Sequence, residues 1–243
     1  MTESQLLIAR VSGYVQRHMS QFDASHDYEH IKRVVGLAHT IYSQLNLPGE
    51  SIPTDSEAQP TLDLPTITLS ALLHDVGDRK YIKDGEDGTT LVRDKLLELG
   101  ADEALATKVQ AICLGVSYSA EVKDLARVKT LIAQHPELAV VQDADRLDAI
   151  GAVGIGRAFT YGGAKTNRDM EGTMEIFELH LLKVEALMKT EPGRKMARER
   201  TERLRTFQTW WGEEMEIGRI SLPNPEPQLF NKEQKLDGLK LES

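Results

Sequence analysis

Three short segments of this 243-residue chain carry side chains whose types and spacing suit metal and phosphate chemistry. In SALLHDVGD, Ser70–Asp78, an apolar run delivers His74 and Asp75 side by side at its end. A carboxylate on so apolar a stretch is costly unless it meets a cation or several hydrogen-bond donors. In SHDYEHIKRV, Ser25–Val34, His26 and His30 lie four apart, which puts them on one side of a helix if both are helical. His30 also heads the apolar stripe Val34, Leu37, Ile41 and so points inward. Ser25 and Asp27 both qualify as the N-cap, which would leave His26 in the entry turn. In VVQDADRLDAIGA, Val140–Ala152, the aspartates Asp143, Asp145 and Asp148 gather around an expected helix start, with Asp145 and Asp148 on a common face. Asp143 reads equally well as a helix cap or a partner of the helix dipole.

Two imidazoles and two carboxylates drawn from such segments can satisfy a divalent cation of borderline ligand preference. Helical bundles build metal sites in this way, from inward side chains on facing helices. A cation with open positions polarises a phosphoryl oxygen and activates water at neutral pH. A carboxylate near the water is then needed to take its proton. Asp78, one helical turn beyond Asp75, is the candidate, with a solvated loop aspartate as the competing reading.

The elements that must position these groups are helical. His30, Val34, Leu37, Ile41 and Leu45 mark one face; Leu69, Leu72, Leu73 and Val76 mark a short helix that is more fully apolar. Leu91–Leu99 and Leu105–Val116 predict two more helices. Val141, Asp145, Asp148, Ala152, Ile155 and Phe159 form one further stripe, and Ile176–Met188 continues the pattern. A last helix runs through Met196, Leu204, Phe207, Trp210 and Met215, opened by Pro192-Gly193. Strand alternation is scarce, so the fold class is an all-α bundle. Residues 46–65 are Pro-, Ser- and acid-rich and read as a mobile surface loop or insertion. Tyr161–Gly172 reads as a Gly-rich polar turn, and residues 219–243 as an extended tail behind a domain spanning 1–218. Gly151–Arg157 follows no strand, so its glycines read as close helix packing rather than a dinucleotide loop.

Taken in order, the segments HDYEHIKRV (His26–Val34), LLHDVGDRK (Leu72–Lys80) and VVQDADRLDAIGAVGIGR (Val140–Arg157) resemble the H…HD…D pattern of HD-domain metal-dependent phosphohydrolases. The likeness is to a bacterial branch of that family, and HLLKVEALMKTEPGRKMARERTERL (His180–Leu204) is similar to that branch's final helices. The resemblance implies an HD-domain helical bundle in which His30, His74, Asp75 and Asp145 hold a divalent cation. It also implies hydrolysis of phosphoester or phosphoanhydride bonds in a small, phosphorylated substrate, a nucleotide above all, in the manner of a nucleotide pyrophosphohydrolase. Asp75 and Asp78 then take the catalytic positions, Asp78 matching an acidic residue that orients or deprotonates water. A 5′-nucleotidase or other phosphomonoesterase is the alternative activity, and a metal-binding nucleotide sensor without catalysis is the alternative class. Between Asp75 and Asp145 the chain offers only His135 as a further histidine, so one metal is expected rather than two. Mn²⁺, Mg²⁺, Co²⁺, Ni²⁺ and Zn²⁺ all suit an N/O ligand set.

Basic residues near the motifs must handle phosphate. Arg33 lies one turn from His30, Arg79 and Lys80 follow Asp78, and Lys183 matches the family-like LLKV segment. For Arg79, Lys80 and Lys183 a solvated face is an equal reading. Arg146 is expected to pair with a neighbouring carboxylate, Asp148 being the candidate. Composition bounds the partners: 29 Lys and Arg against 38 Asp and Glu give a net charge of −9. Such a chain lacks the basic surface that extended nucleic acid or anionic membrane would need. A local site can still take a small phosphate. The single cysteine, Cys113, excludes an intramolecular disulfide framework and fits a reducing, cytoplasmic location.

Overall fold

The computed structural model describes residues 2–22, 27–53, 59–77, 82, 85 and 87–218, and 219–221 as helix. Eleven α-helices and one 3₁₀ segment account for the described secondary structure, and there is no strand among the described residues. The all-α expectation holds. The helices are α1 Glu3–Met19, α2 Tyr28–Leu45, α3 Leu64–Leu73, α4 Leu91–Glu98, α5 Glu103–Val116, α6 Tyr118–Lys123, α7 Leu125–Gln134, α8 Glu137–Asp148, α9 Gly151–Lys165, α10 Met170–Leu179 and α11 Glu191–Ser221. The 3₁₀ segment, Leu181–Leu187, links α10 to α11.

The chain divides into two compact units, residues 1–205 and 206–243. In the first, α3 is the central rod. Its residues Thr66 to Leu73 are all buried, because a helix that is apolar all round must be surrounded. Helices α1, α2, α5 and α8 pack on it. Its entry is fixed by Asp63, which accepts from the backbone N–H of Thr66 at 2.9 Å and from its hydroxyl at 2.6 Å, with Pro65 in the first turn, where a missing N–H costs nothing. A core of Leu7, Val11, Val15, Ile31, Leu69 and Leu73 joins α1, α2 and α3. In the second unit, Phe207 and Trp211 lie one turn apart on α11 with ring centroids 6.0 Å from each other.

Several boundaries differ from the periodicity reading. The stripe from Val141 to Phe159 is two helices, because the chain turns at Gly151, whose φ of +75° suits glycine alone. Gly154 then lets α9 close on the end of α8: a Cβ there would lie 2.2 Å from the carbonyl oxygen of Ala149. The close-packing reading holds at Gly151 and Gly154 but not at Gly156, where an added Cβ would meet nothing within 4 Å. The aspartate cluster sits in the last turns of α8, not at a helix start, because α8 begins at Glu137 just after Pro136. Most of the expected Gly-rich turn is helical, α9 running to Lys165 and α10 starting at Met170. Helices α6 and α7 escaped the periodicity reading, being short, with Glu121 and Val128 as their only buried residues. The 46–65 stretch is anchored at its middle: Ile52 is buried and the Ser51 carbonyl accepts from the N–H of Glu191 at 3.0 Å.

Candidate metal centre and its pocket

His30 enters the site from the first turn of α2. Asp27 is the N-cap there, its carboxylate accepting from the N–H of His30 at 3.1 Å. His26 lies outside the described residues. Helix α3 ends at Leu73 and His74 is its C-cap, so His74 and Asp75 leave the apolar rod together. The Nδ1 of His74 donates to the Ala71 carbonyl at 2.9 Å, which turns Nε2 toward the site. Asp145 arrives from α8, one turn before that helix ends.

These four side chains converge. His30 Nε2 lies 3.4 Å from Asp75 Oδ2 and 3.7 Å from Asp145 Oδ1. His74 Nε2 lies 3.5 Å from Asp75 Oδ1 and 3.6 Å from Asp145 Oδ1. One donor atom each from His30, His74 and Asp145 fall within 4.8 Å of one another. These separations exceed an N–H···O bond of about 2.7–3.2 Å. They match ligand atoms that sit about 2.0–2.2 Å from a shared ion and so about 3–3.5 Å apart. His74 Nε2 and Asp75 Oδ2 are fully buried and have no hydrogen-bond partner, which is costly unless a further group belongs there. The donor set and its two orphaned atoms therefore fit a divalent cation.

The imidazoles and carboxylates of the site hold one another in their charged forms. Burial works against a charged His74, but the Asp75 and Asp145 carboxylates outweigh it and hold its pKa up at about 9. Burial works against a charged Asp75 as well, yet the neighbouring imidazoles keep its carboxyl below the usual range. Asp145 is likewise held low against burial, by His74, Arg146 and His30.

Asp148, one turn beyond Asp145, orients the site from behind. Its Oδ2 accepts from His30 Nδ1 at 2.8 Å, its Oδ1 from Arg33 Nε at 2.7 Å, and its Oδ2 also from Arg33 Nη2 and Arg157 Nη1, each at 3.1 Å. Burial would raise its pKa, but these partners hold it at about 2. A carboxylate on Nδ1 fixes the tautomer that presents Nε2. Asp145 and Asp148 thus share a face, as their spacing predicts. Arg146 does not pair with Asp148: it donates to Asp145 Oδ2 at 2.7 Å and to Glu121 Oε2 at 3.2 Å. Its side chain leaves α8 on the flank facing α6, while Asp148 turns toward α2.

Beside Asp145 opens a cavity of about 450 Å³, walled by α6, α8, α9, α10 and the 3₁₀ segment. Arg146, Arg157 and Arg168 give it positive charge, Tyr118, Tyr161 and His180 give it aromatic faces, and Ile176 and Val184 an apolar floor. Of the phosphate-handling residues expected from sequence, Arg33 has its fork on Asp148 and Lys183 is exposed on the 3₁₀ segment, where its charge and that of Arg168 help burial to depress the pKa of His180. Neither lines the cavity. Asp78, Arg79 and Lys80 lie outside the described residues. Sequence reasoning missed Arg157, Arg168, Tyr161 and His180. Arg157 closes the motif Val140–Arg157 and was the one with a signal; the others stand in segments read as turn or helix without a role. Cys113 is buried, and burial pushes its thiol pKa up, in keeping with a core residue. No helix among the described residues is long and apolar enough to cross a membrane.

Comparison with known proteins matches residues 27–150 to the HD domain. Uncharacterized protein YpgQ of Bacillus subtilis (strain 168) is 32% identical over 197 residues, covering 79% of this chain and 85% of that protein. The crystal structure of Bacillus subtilis YpgQ in complex with ADP superimposes with a TM-score of 0.66 at 28% identity, covering 88% of this chain and 97% of that one. An HD-superfamily hydrolase from Bacillus thuringiensis superimposes with a TM-score of 0.63 at 28% identity, covering 88% and 98%.

Proposed function

The chain belongs to the HD-domain family, and on that footing we propose that it is a divalent-metal-dependent hydrolase of phosphoester or phosphoanhydride bonds in a nucleotide, of the pyrophosphohydrolase type. The observation that carries this reading is the convergence of two buried imidazoles and two carboxylates with orphaned atoms, beside a cavity that is cationic and aromatic at once. His30, His74, Asp75 and Asp145 would hold the cation. When bound, it supplies Lewis acidity toward a phosphoryl oxygen.

The chain's own groups supply the rest. Arg157, steadied by Asp148, and Arg168 would bind phosphate oxygens as forked donors. Lys183 would add charge at the mouth, and Arg33 would act through Asp148 on His30. Tyr161, with Tyr118 carrying the Arg146 guanidinium over its ring, would offer an aromatic surface for a base, and the similar YpgQ has been crystallised with ADP. Asp78 would accept the proton of the attacking water, with Arg79 and Lys80 beside it for the departing phosphate.

The test is a nucleotide panel with separate pyrophosphate and orthophosphate readouts, run beside elemental analysis of the purified protein. Pyrophosphate release from nucleoside triphosphates, lost in D75A together with metal but with helical content intact, is the expected outcome. Orthophosphate from a nucleoside monophosphate would instead assign the phosphomonoesterase alternative. Full turnover by D75A, with no metal in the parent protein, would sink the proposal. D78N is expected to retain metal while losing turnover by about 100-fold or more, the usual range for a general base.

A further inference from the structure

Asp145 begins a line of buried charges that alternate in sign. Its Oδ2 accepts from Arg146 Nη1 at 2.7 Å, and Arg146 Nη2 donates to Glu121 Oε2 at 3.2 Å and to the Val116 carbonyl at 2.6 Å. The other oxygen of Glu121 accepts from Lys189 Nζ, and the main-chain N–H of Lys189 donates to Asp143 Oδ1 at 2.8 Å. Side-chain exposure is 3% for Arg146, 1% for Glu121 and 14% for Lys189, so solvent does little to screen these charges. Glu121 stands on α6, and its carboxylate meets Arg146 and Lys189 rather than any of the four proposed ligands.

The charges explain what Glu121 does. With neutral imidazoles, Asp75 and Asp145 balance a divalent cation between them. Arg146 then places an additional positive charge on the second oxygen of a ligand, where it competes with the cation for that carboxylate. Glu121 offsets that charge and, by taking Nη2, fixes the guanidinium so that Nη1 stays on Asp145. We propose that Glu121 is a positioning residue of the cation site, acting through Arg146 to keep Asp145 aimed at, and available to, a divalent cation. This rests on the cation-site reading given above.

A purely structural clasp between α6 and Lys189 would use the same contacts, so the experiment separates the two. Mn²⁺ alone is titrated calorimetrically into the metal-free full chain, with thermal midpoints measured in parallel. E121Q is expected to bind Mn²⁺ about 10- to 100-fold more weakly, the range seen when an outer partner of a ligand is removed. K189M, which leaves the Arg146–Glu121 pair in place, is expected to lower the thermal midpoint while keeping affinity within about threefold of the parent. The double variant E121Q/K189M removes Glu121 without stranding the Lys189 charge and decides the matter should E121Q fold poorly. It is expected to show the affinity loss of E121Q. Parent-like affinity in a folded E121Q or E121Q/K189M overturns the proposal, and so does an equal loss of affinity in K189M and E121Q. If the parent itself takes up no Mn²⁺, the cation-site reading is what fails, and this inference falls with it.

Discussion

Asp143 and Asp145 are two residues apart on one helix, and their surroundings are opposites. Asp143 is saturated: its carboxylate accepts from the N–H groups of Lys189 and Thr190 and from the Thr190 hydroxyl, at 2.8–3.1 Å. It thereby caps the start of α11, and burial still pushes its pKa up to about 6 against those bonds. Asp145 holds Arg146 through Oδ2, but beside it two buried atoms, His74 Nε2 and Asp75 Oδ2, have no hydrogen-bond partner. Natural interiors partner their buried polar groups. Completeness at Asp143 fits a structural role, and the two open atoms beside Asp145 are ones that the proposed cation would engage.

The comparison can be broken by experiment, and the largest effect is expected at the saturated end. D143A leaves buried donors of Lys189 and Thr190 without acceptors, which should lower unfolding free energy by about 3–5 kcal/mol in denaturant titrations. A loss below about 1 kcal/mol would mean that water replaces the carboxylate and that saturation carries no structural weight. Next comes Asp148, which is saturated yet touches the unsatisfied centre through His30. D148N is expected to weaken Mn²⁺ binding by about 10- to 100-fold through the lost hold on His30, read by the same calorimetry. Unchanged affinity would detach the orienting layer from the site.

The smallest effect concerns His39, which is half-exposed and bonded to the Thr68 hydroxyl at 2.8 Å. Burial lowers its pKa below the ordinary 6.5, so the unfolded chain takes up this proton at higher pH than the folded one. Its contribution to stability is accordingly full above pH 6.5 and declines as the pH falls toward the folded-state pKa. H39Q should flatten that part of the stability–pH curve and leave Mn²⁺ affinity untouched, which melting curves at a series of pH values would show. A change in metal affinity would mean that the α2–α3 contact, not the buried cluster alone, tunes the site.

How much of this was legible in the sequence follows from how each group is placed. His30, His74 and Asp145 could be read because each sits at a fixed phase against an apolar helical stripe, and burial follows phase. The orienting role of Asp148 was half legible, its face predicted but its partner not. Partners such as Arg157, Arg33 and Glu121 meet the site only through the packing of α2 and α9 on α8 and the reach of Arg146 to α6, and nothing in local spacing encodes that. The break between α8 and α9 hinged on one glycine of positive φ, which periodicity smooths over. The cavity was illegible for the same reason, since it is walled by five separate elements.

The turn at Gly151 has a further consequence, for how this chain can change. Between Asp143 and Arg157 lie a helix cap, a proposed cation ligand, the arginine bonded to it, the carboxylate that orients His30 and an arginine of the cavity wall. Each direction is set by its place on a helix that rotates about 100° per residue. Substitution can alter one of these roles at a time. Inserting or deleting a single residue before the turn would swing several of them away from their partners together. Variation within this stretch is therefore expected to come as replacement at fixed length, with changes in length confined to segments such as 46–63 that lie outside it.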